Sequence, residues 1–156
     1  MGIIAPKKEA SDRRIVGFLL LLIFLPLVLI YLAFYLVWGL ILCTAIWLTW
    51  GRRDVLFVYS NSPTWKEYIE RELLPSIQTR AVILNWSDRR NWKNSLAAWA
   101  FRYFGSDRNF NPMAVVFHPL RVPRIYRFYE AFKEFKHGDP RKIEELKKEF
   151  LCDLEK

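Results

Sequence analysis

Three short polar stretches, each following an apolar segment, hold the side chains of this chain that are best suited to bind a ligand. They begin at Ser60, Asn85 and His118. The candidate ligand-binding residues are Ser60, Asn61, Ser62, Asn85, Asp88, Arg89, Arg90 and His118. Because guanidinium groups and helix N-termini bind anions, these residues predict a site for a phosphate or carboxylate. The alternative interpretation is turn and cap chemistry, which alone accounts for most of the same residue types.

No catalytic residue is assigned. Ser60, His118 and Asp88 are the residue types of a hydrolytic triad, but Ser60 lacks the Gly-x-Ser-x-Gly turn that exposes a nucleophile. The chain contains no Gly-x-Gly-x-x-Gly, no phosphate-binding P-loop and no Cys-x-x-Cys, and its cysteines are Cys43 and Cys152. We therefore expect no cofactor, no metal site and no disulfide.

The polar stretches follow segments that have the pattern of buried strands. Short, β-prone apolar runs occupy residues 54–59, 80–86 and 113–117. Helices are predicted over residues 64–74 and, by the spacing of apolar residues, between Leu96 and Phe104, with Ser87 and Asp88 as candidate N-caps. Alternation of strand and helix indicates a small three-stranded parallel α/β domain, Rossmann-like or flavodoxin-like. In such a sheet the three polar stretches meet at one edge.

The last forty residues are predicted to be helical. Two apolar stripes at helical spacing support this prediction, and Gly138-Asp139-Pro140 separates them. The stripes are Ile125, Phe128, Tyr129, Phe132 and Phe135, then Ile143, Leu146, Phe150 and Leu154.

An uncharged run of 36 residues, from Ile15 to Trp50, precedes this domain. About 20 apolar residues suffice to cross a bilayer, so the run predicts a transmembrane helical anchor. As one helix it is about 54 Å long, which exceeds a hydrocarbon core of about 30 Å. Two arrangements account for the excess: a helical hairpin, slightly favoured, that turns between Tyr31 and Gly39, or one long helix kinked at Pro26. The chain thus divides into a basic tail (1–14), the anchor (15–50) and the α/β domain (51–156).

The net charge of +8 is concentrated in the domain, where residues 79–129 carry nine basic and two acidic side chains. Together with the anchor, this excess predicts contact with anionic lipid headgroups, and we assign Arg52, Arg53, Arg121 and Arg124 to that membrane surface. An acidic or phosphorylated protein partner ranks second and nucleic acid a distant third. Arg52 and Arg53 directly after the anchor place the domain on the cytoplasmic side.

These patterns predict an integral membrane protein whose basic α/β domain acts as a non-enzymatic interaction or scaffold module at the inner face of the membrane. The alternative hypothesis is a membrane-bound enzyme or sensor that recognises a phosphorylated small molecule at the C-terminal ends of the strands.

Overall fold

The computed structural model describes residues 7–105 and 111–155, and within these ranges it describes side chains from residue 17 onward, except at residue 19. The chain divides into two compact units, residues 1–40 and 41–156. The division falls inside the apolar run, ten residues before Trp50. Residues 1–6 of the predicted basic tail lie outside the described residues, and the remainder of that tail is already helical.

One uninterrupted helix, α1, runs from Lys7 to Trp50. The predicted hairpin is therefore wrong, and the single long helix of the alternative is confirmed, while its kink at Pro26 stays a prediction. The run holds no polar turn residues with which to reverse the chain, and Pro26 is accommodated within the helix. The segment Leu20–Trp50 has the length and composition of a membrane-crossing helix, and none of its most apolar window is buried inside the protein.

The second unit contains one mixed sheet of four strands in the order β2-β1-β3-β4. The strands are β1 (Val55–Tyr59), β2 (Ala81–Asn85), β3 (Met113–Val116) and β4 (Arg124–Arg127). β1 pairs with β2 in parallel, but β1 with β3 and β3 with β4 are antiparallel. The prediction of a three-stranded parallel sheet is wrong in the number of strands and in the direction of β3.

β4 replaces part of the region predicted to be helical. Ile125 and Phe128 fit a helical stripe, but residues 124–127 form a strand in which only Tyr126 is buried. β4 is the last strand in the sheet order, so most of its side chains remain exposed. β4 pairs with β3 through Ala114 opposite Tyr126. The tertiary pairing therefore overrides the helical spacing at this position.

Helical segments pack against both faces of the sheet. Residues 66–77 form one continuous helical stretch that passes Pro75, and its middle turn is a π-helix. The segments are α2 (Lys66–Tyr68), the π-helix (Ile69–Leu73), α3 (Leu74–Ile77), α4 (Leu96–Phe104), α5 (Tyr129–Lys136) and α6 (Arg141–Leu154). A 3₁₀ helix also spans Trp86–Asn91 and holds the residues that were candidate caps. The N-cap of α4 is instead Ser95, whose hydroxyl accepts a hydrogen bond from Ala98 N–H at 3.3 Å.

The sheet buries apolar side chains on both faces. Its first face, which carries Val55 and Phe57, packs against the helices of residues 66–77, α5 and α6. Its second face, which carries Leu56 and Val58, packs against α4 and against the last turns of α1 through Ile46. Trp50 contacts Phe117 edge-on, with ring centroids 5.8 Å apart. The last turns of α1 therefore belong to the second unit and contribute Ile46 to its core.

Candidate functional site

Hydrogen bonds join the polar residues that follow β1 and β2. Ser87 Oγ accepts from Asn61 N–H at 3.0 Å, and Asn85 Nδ2 donates to Asn61 Oδ1 at 2.9 Å. Asn85 Oδ1 in turn accepts from Ser87 N–H at 2.9 Å, which caps the 3₁₀ helix. The two chain segments beyond the parallel strands are thus tied together by their own side chains.

The other candidates at this edge take similar roles. Ser62 Oγ accepts from Thr64 N–H at 3.4 Å, and Ser60 is almost completely buried. Asp88, Arg89 and Arg90 are exposed on the 3₁₀ helix, with the Arg89 guanidinium 4.9 Å from the ring centroid of Trp86. The amides and hydroxyls at this edge act in the turn and cap roles that such chain reversals require.

His118 lies at the opposite edge of the sheet from these residues. β3 runs antiparallel to β1, so its C-terminal end lies beside the start of β1, where Phe117 N–H donates to the carbonyl of Asp54 at 2.8 Å. Seven of the eight candidate ligand-binding residues therefore lie at one edge of the sheet and His118 at the other. The expectation that all three polar stretches surround one crevice depended on a parallel β3 and is not met.

The structure places His118 in a polar cluster centred on the buried carboxyl group of Asp153. His118 Nε2 lies 3.2 Å from Asp153 Oδ2, and Arg124 donates to Asp153 Oδ1 at 2.9 Å. Burial by itself raises the pKa of the Asp153 carboxyl, but the contacts with His118 and Tyr126 and the charge of Arg124 bring it below its ordinary value. The cluster links the last turn of α6 to β4 and to the residues after β3. The ionised carboxylate of Asp153 therefore stabilises the packing of α6 against β4 and the residues after β3.

A second ion pair lies at the same edge. Arg80 Nε donates to Asp54 Oδ1 at 3.0 Å, and the guanidinium also bonds the Leu154 carbonyl at the end of α6. Neither cluster is predictable from the sequence, because the members of each are far apart along the chain, by up to about a hundred residues. One signal was present: Asp153 follows Phe150 by three residues, so it lies on the buried stripe of its helix.

The four residues assigned to a membrane surface fall in two places. Arg52 and Arg53 are exposed in the turn after α1. Arg121 is exposed in the loop between β3 and β4, whereas Arg124 pairs with Asp153. The same loop presents Leu120 and Val122 to solvent with relative exposures of 106% and 85%. Leu120 also has a positive φ of 57°, which is unfavourable for a leucine.

An open groove of about 290 Å³ lies on the first-face side of the second unit, between α5 and α6. Its lining carries both signs of charge, so it has no clear preference for an anion or a cation. The lining residues are Arg127, Glu130, Ala131, Lys142, Glu145, Leu146 and Glu149. Among the side chains that the structure describes, no three His, Cys, Asp or Glu residues come together as a metal-binding group.

No protein-family model, curated protein or solved structure matches the chain.

Proposed function

We propose that this chain is an integral membrane protein whose small mixed-sheet domain acts as a non-enzymatic interaction or scaffold module at the cytoplasmic face of the membrane. The observation that carries the proposal is α1, whose apolar side chains are exposed from residue 20 to residue 38 and which continues without a linker into the core of the second unit. An apolar surface of this size in water is strongly unfavourable, and lipid removes that cost. Arg52 and Arg53, directly after α1, favour the cytoplasmic side for the domain.

The geometry of the polar edge favours a module over an enzyme. Asn61, Asn85 and Ser87 bond one another, so their amides and hydroxyls already have partners within the turns. The loop between β3 and β4 supports an interaction role, because Leu120 holds a strained backbone conformation while its side chain is exposed. Such strain at an exposed loop position is typical of functional sites. Arg121 beside it gives the loop both an apolar and a basic character, which suits an acidic protein partner.

Membrane integration is tested by alkaline carbonate extraction of cell membranes that contain the full-length chain. We expect the protein to remain in the membrane pellet, because its retention depends on apolar burial rather than on charge. Release into the supernatant would contradict the proposal.

The orientation is tested with the native thiol of Cys152, which is exposed on α6. In sealed right-side-out vesicles, a membrane-impermeant maleimide should label Cys152 only after detergent is added. The variant Cys152→Ser provides the control for labelling at Cys43. Full labelling of intact vesicles would place the domain on the outer side and would overturn the cytoplasmic assignment.

Recognition of a phosphorylated small molecule at the polar edge is the competing hypothesis, and a thermal-shift experiment distinguishes it. Under the module proposal, inorganic phosphate and pyrophosphate at millimolar concentration leave the melting temperature of the full-length protein unchanged. A rise in Tm that is lost in the double variant Arg89→Ala, Arg90→Ala would support the binding site and count against a purely scaffolding role.

A further inference from the structure

The outer surface of the helices on the second face of the sheet carries large apolar side chains. Ile46 of α1 and Ala100 of α4 point into the core, whereas Trp47, Leu48 and Trp99 have relative exposures of 60%, 68% and 42%. Both helical segments cover the same face of the sheet, so these three side chains lie on the same outer side of the second unit. We call this surface the α1/α4 face, defined by Trp47, Leu48 and Trp99. Two exposed basic residues are close to Trp99 along the chain: Lys93, just before the Ser95 cap of α4, and Arg102, within α4.

The charges on the two sides of the sheet differ in balance. On the second-face side, the segment Trp86–Phe104 carries four basic residues against one acidic residue. On the first-face side, residues 66–77, α5 and α6 together carry eight basic and nine acidic residues. An anionic surface is therefore attracted to the α1/α4 face and not to the opposite side of the domain.

The length of α1 places its last turns at the level of lipid headgroups. The 31 residues of Leu20–Trp50 form a helix about 46 Å long. At a typical tilt of about 20° this covers about 44 Å along the membrane normal, which matches a bilayer of about 40–45 Å with its headgroup regions. The central 30 Å or so requires only about 20 of these residues. Tryptophan is enriched at the boundary between lipid and water, which suits Trp47 and Trp50.

We propose that the α1/α4 face is a lipid-contacting surface, in which Trp47, Leu48 and Trp99 enter the headgroup layer of an anionic membrane while Lys93 and Arg102 contact its phosphates. The proposal rests on the membrane anchoring argued above, and it adds which residues of the second unit contact the lipid. It also accounts for apolar residues near the end of α1 that the core of the domain does not cover.

The experiment uses the full-length protein in lipid nanodiscs with one chain per disc. In the background Cys43→Ala, Cys152→Ser, a nitroxide spin label is attached at a single introduced cysteine. Trp99→Cys reports on the α1/α4 face, Lys148→Cys on α6 serves as the matched exposed helical position, and Ile30→Cys reports on the anchor. Collision with a water-soluble nickel chelate and with oxygen is measured by power saturation. Only variants whose urea unfolding midpoint equals that of the background are compared.

In discs that contain anionic lipid, we expect collision with nickel at position 99 to be several-fold lower than at position 148. This protection should decrease in discs of neutral lipid, because Lys93 and Arg102 then have no anionic partner. Equal protection in both lipids would overturn the role of the basic residues.

Equal nickel accessibility at positions 99 and 148, with position 30 protected, would overturn the proposal while leaving the anchor intact. Exposure of position 30 to nickel would show instead that the anchoring itself fails. If position 99 becomes protected only when two chains share a disc, and its spectrum broadens through contact between labels, a second copy covers this face and the lipid proposal is wrong.

Discussion

Replacing Ile46 tests whether the end of α1 belongs to the folded domain. Ile46 has a relative exposure of 1% and packs against the second face of the sheet, whereas Ile41, on the same helix, is 51% exposed. The change Ile46→Ala removes three carbon atoms, whose transfer out of the core costs about 2.4 kcal/mol at about 0.8 kcal/mol each. The cavity that remains raises the expected loss to about 3–4 kcal/mol, within the range of about 2–5 kcal/mol for such changes.

The assay is urea unfolding of the full-length protein in mild detergent. Pulse proteolysis measures the fraction of folded domain at each urea concentration. Ile46→Ala should lower the unfolding midpoint strongly without a change in the denaturant dependence. The identical substitution at Ile41 should lower the free energy of unfolding by less than about 1 kcal/mol, because that side chain already contacts solvent or detergent.

Equal effects of the two substitutions would refute the reasoning. They would show that the apolar run serves only as an anchor and that the sheet is stable without the last turns of α1. The comparison uses one residue type in one helix, so differences in helix propensity do not enter.

Three further predictions concern the second unit. In the folded state the pKa of Asp153 lies below its ordinary value of 3.8. Ionised Asp153 therefore stabilises the fold above about pH 4, and this stability is lost as the pH falls through the folded-state pKa. The urea midpoint of the parent protein should therefore fall more steeply below about pH 4 than that of Asp153→Asn, and parallel curves would contradict this role. Ser95→Ala removes the cap of α4 and should lower the free energy of unfolding, measured with urea, by about 1 kcal/mol. Ser76 is exposed within α3, so the control Ser76→Ala should lower it by less than about 0.5 kcal/mol. Leu120→Gly should raise the free energy of unfolding by up to about 1 kcal/mol, because relief of a positive φ exceeds the entropy cost of glycine. Val122→Gly, the control, should lower the free energy of unfolding. A lower free energy of unfolding in both variants would exclude strain at Leu120.

Local pattern predicted three of the four strands, to within one residue at almost every end. β1, β2 and β3 are short, apolar and β-prone, and these properties do not depend on their neighbours. The direction of β3 was not predictable in the same way. A strand that is buried on both faces can have the same apolar composition whether it pairs in parallel or antiparallel, so its residues do not predict its direction.

The direction of β3 also determines which of the candidate site residues lie near one another. The sequence shows that polar residues follow each strand, but which of these residues lie together depends on the direction of β3. Once β3 is antiparallel, His118 is placed with Asp153 and Arg124 at the opposite edge from Ser60 and Asn85. β4 was missed for a related reason, since Ile125 and Phe128 satisfy a helical spacing and only the pairing with β3 selects the strand.

The sequence by itself determined that an uncharged helical run precedes a small domain of strands and helices, because solvation and local propensity act on each segment independently of the others. Tertiary structure alone decided how much of that helix the domain uses. Ile46 and Trp47 are neighbours of similar apolar character, yet one lies in the core and the other on the surface. Only packing against the second face of the sheet distinguishes them, because burial depends on the surface that a partner presents and not on the residue itself.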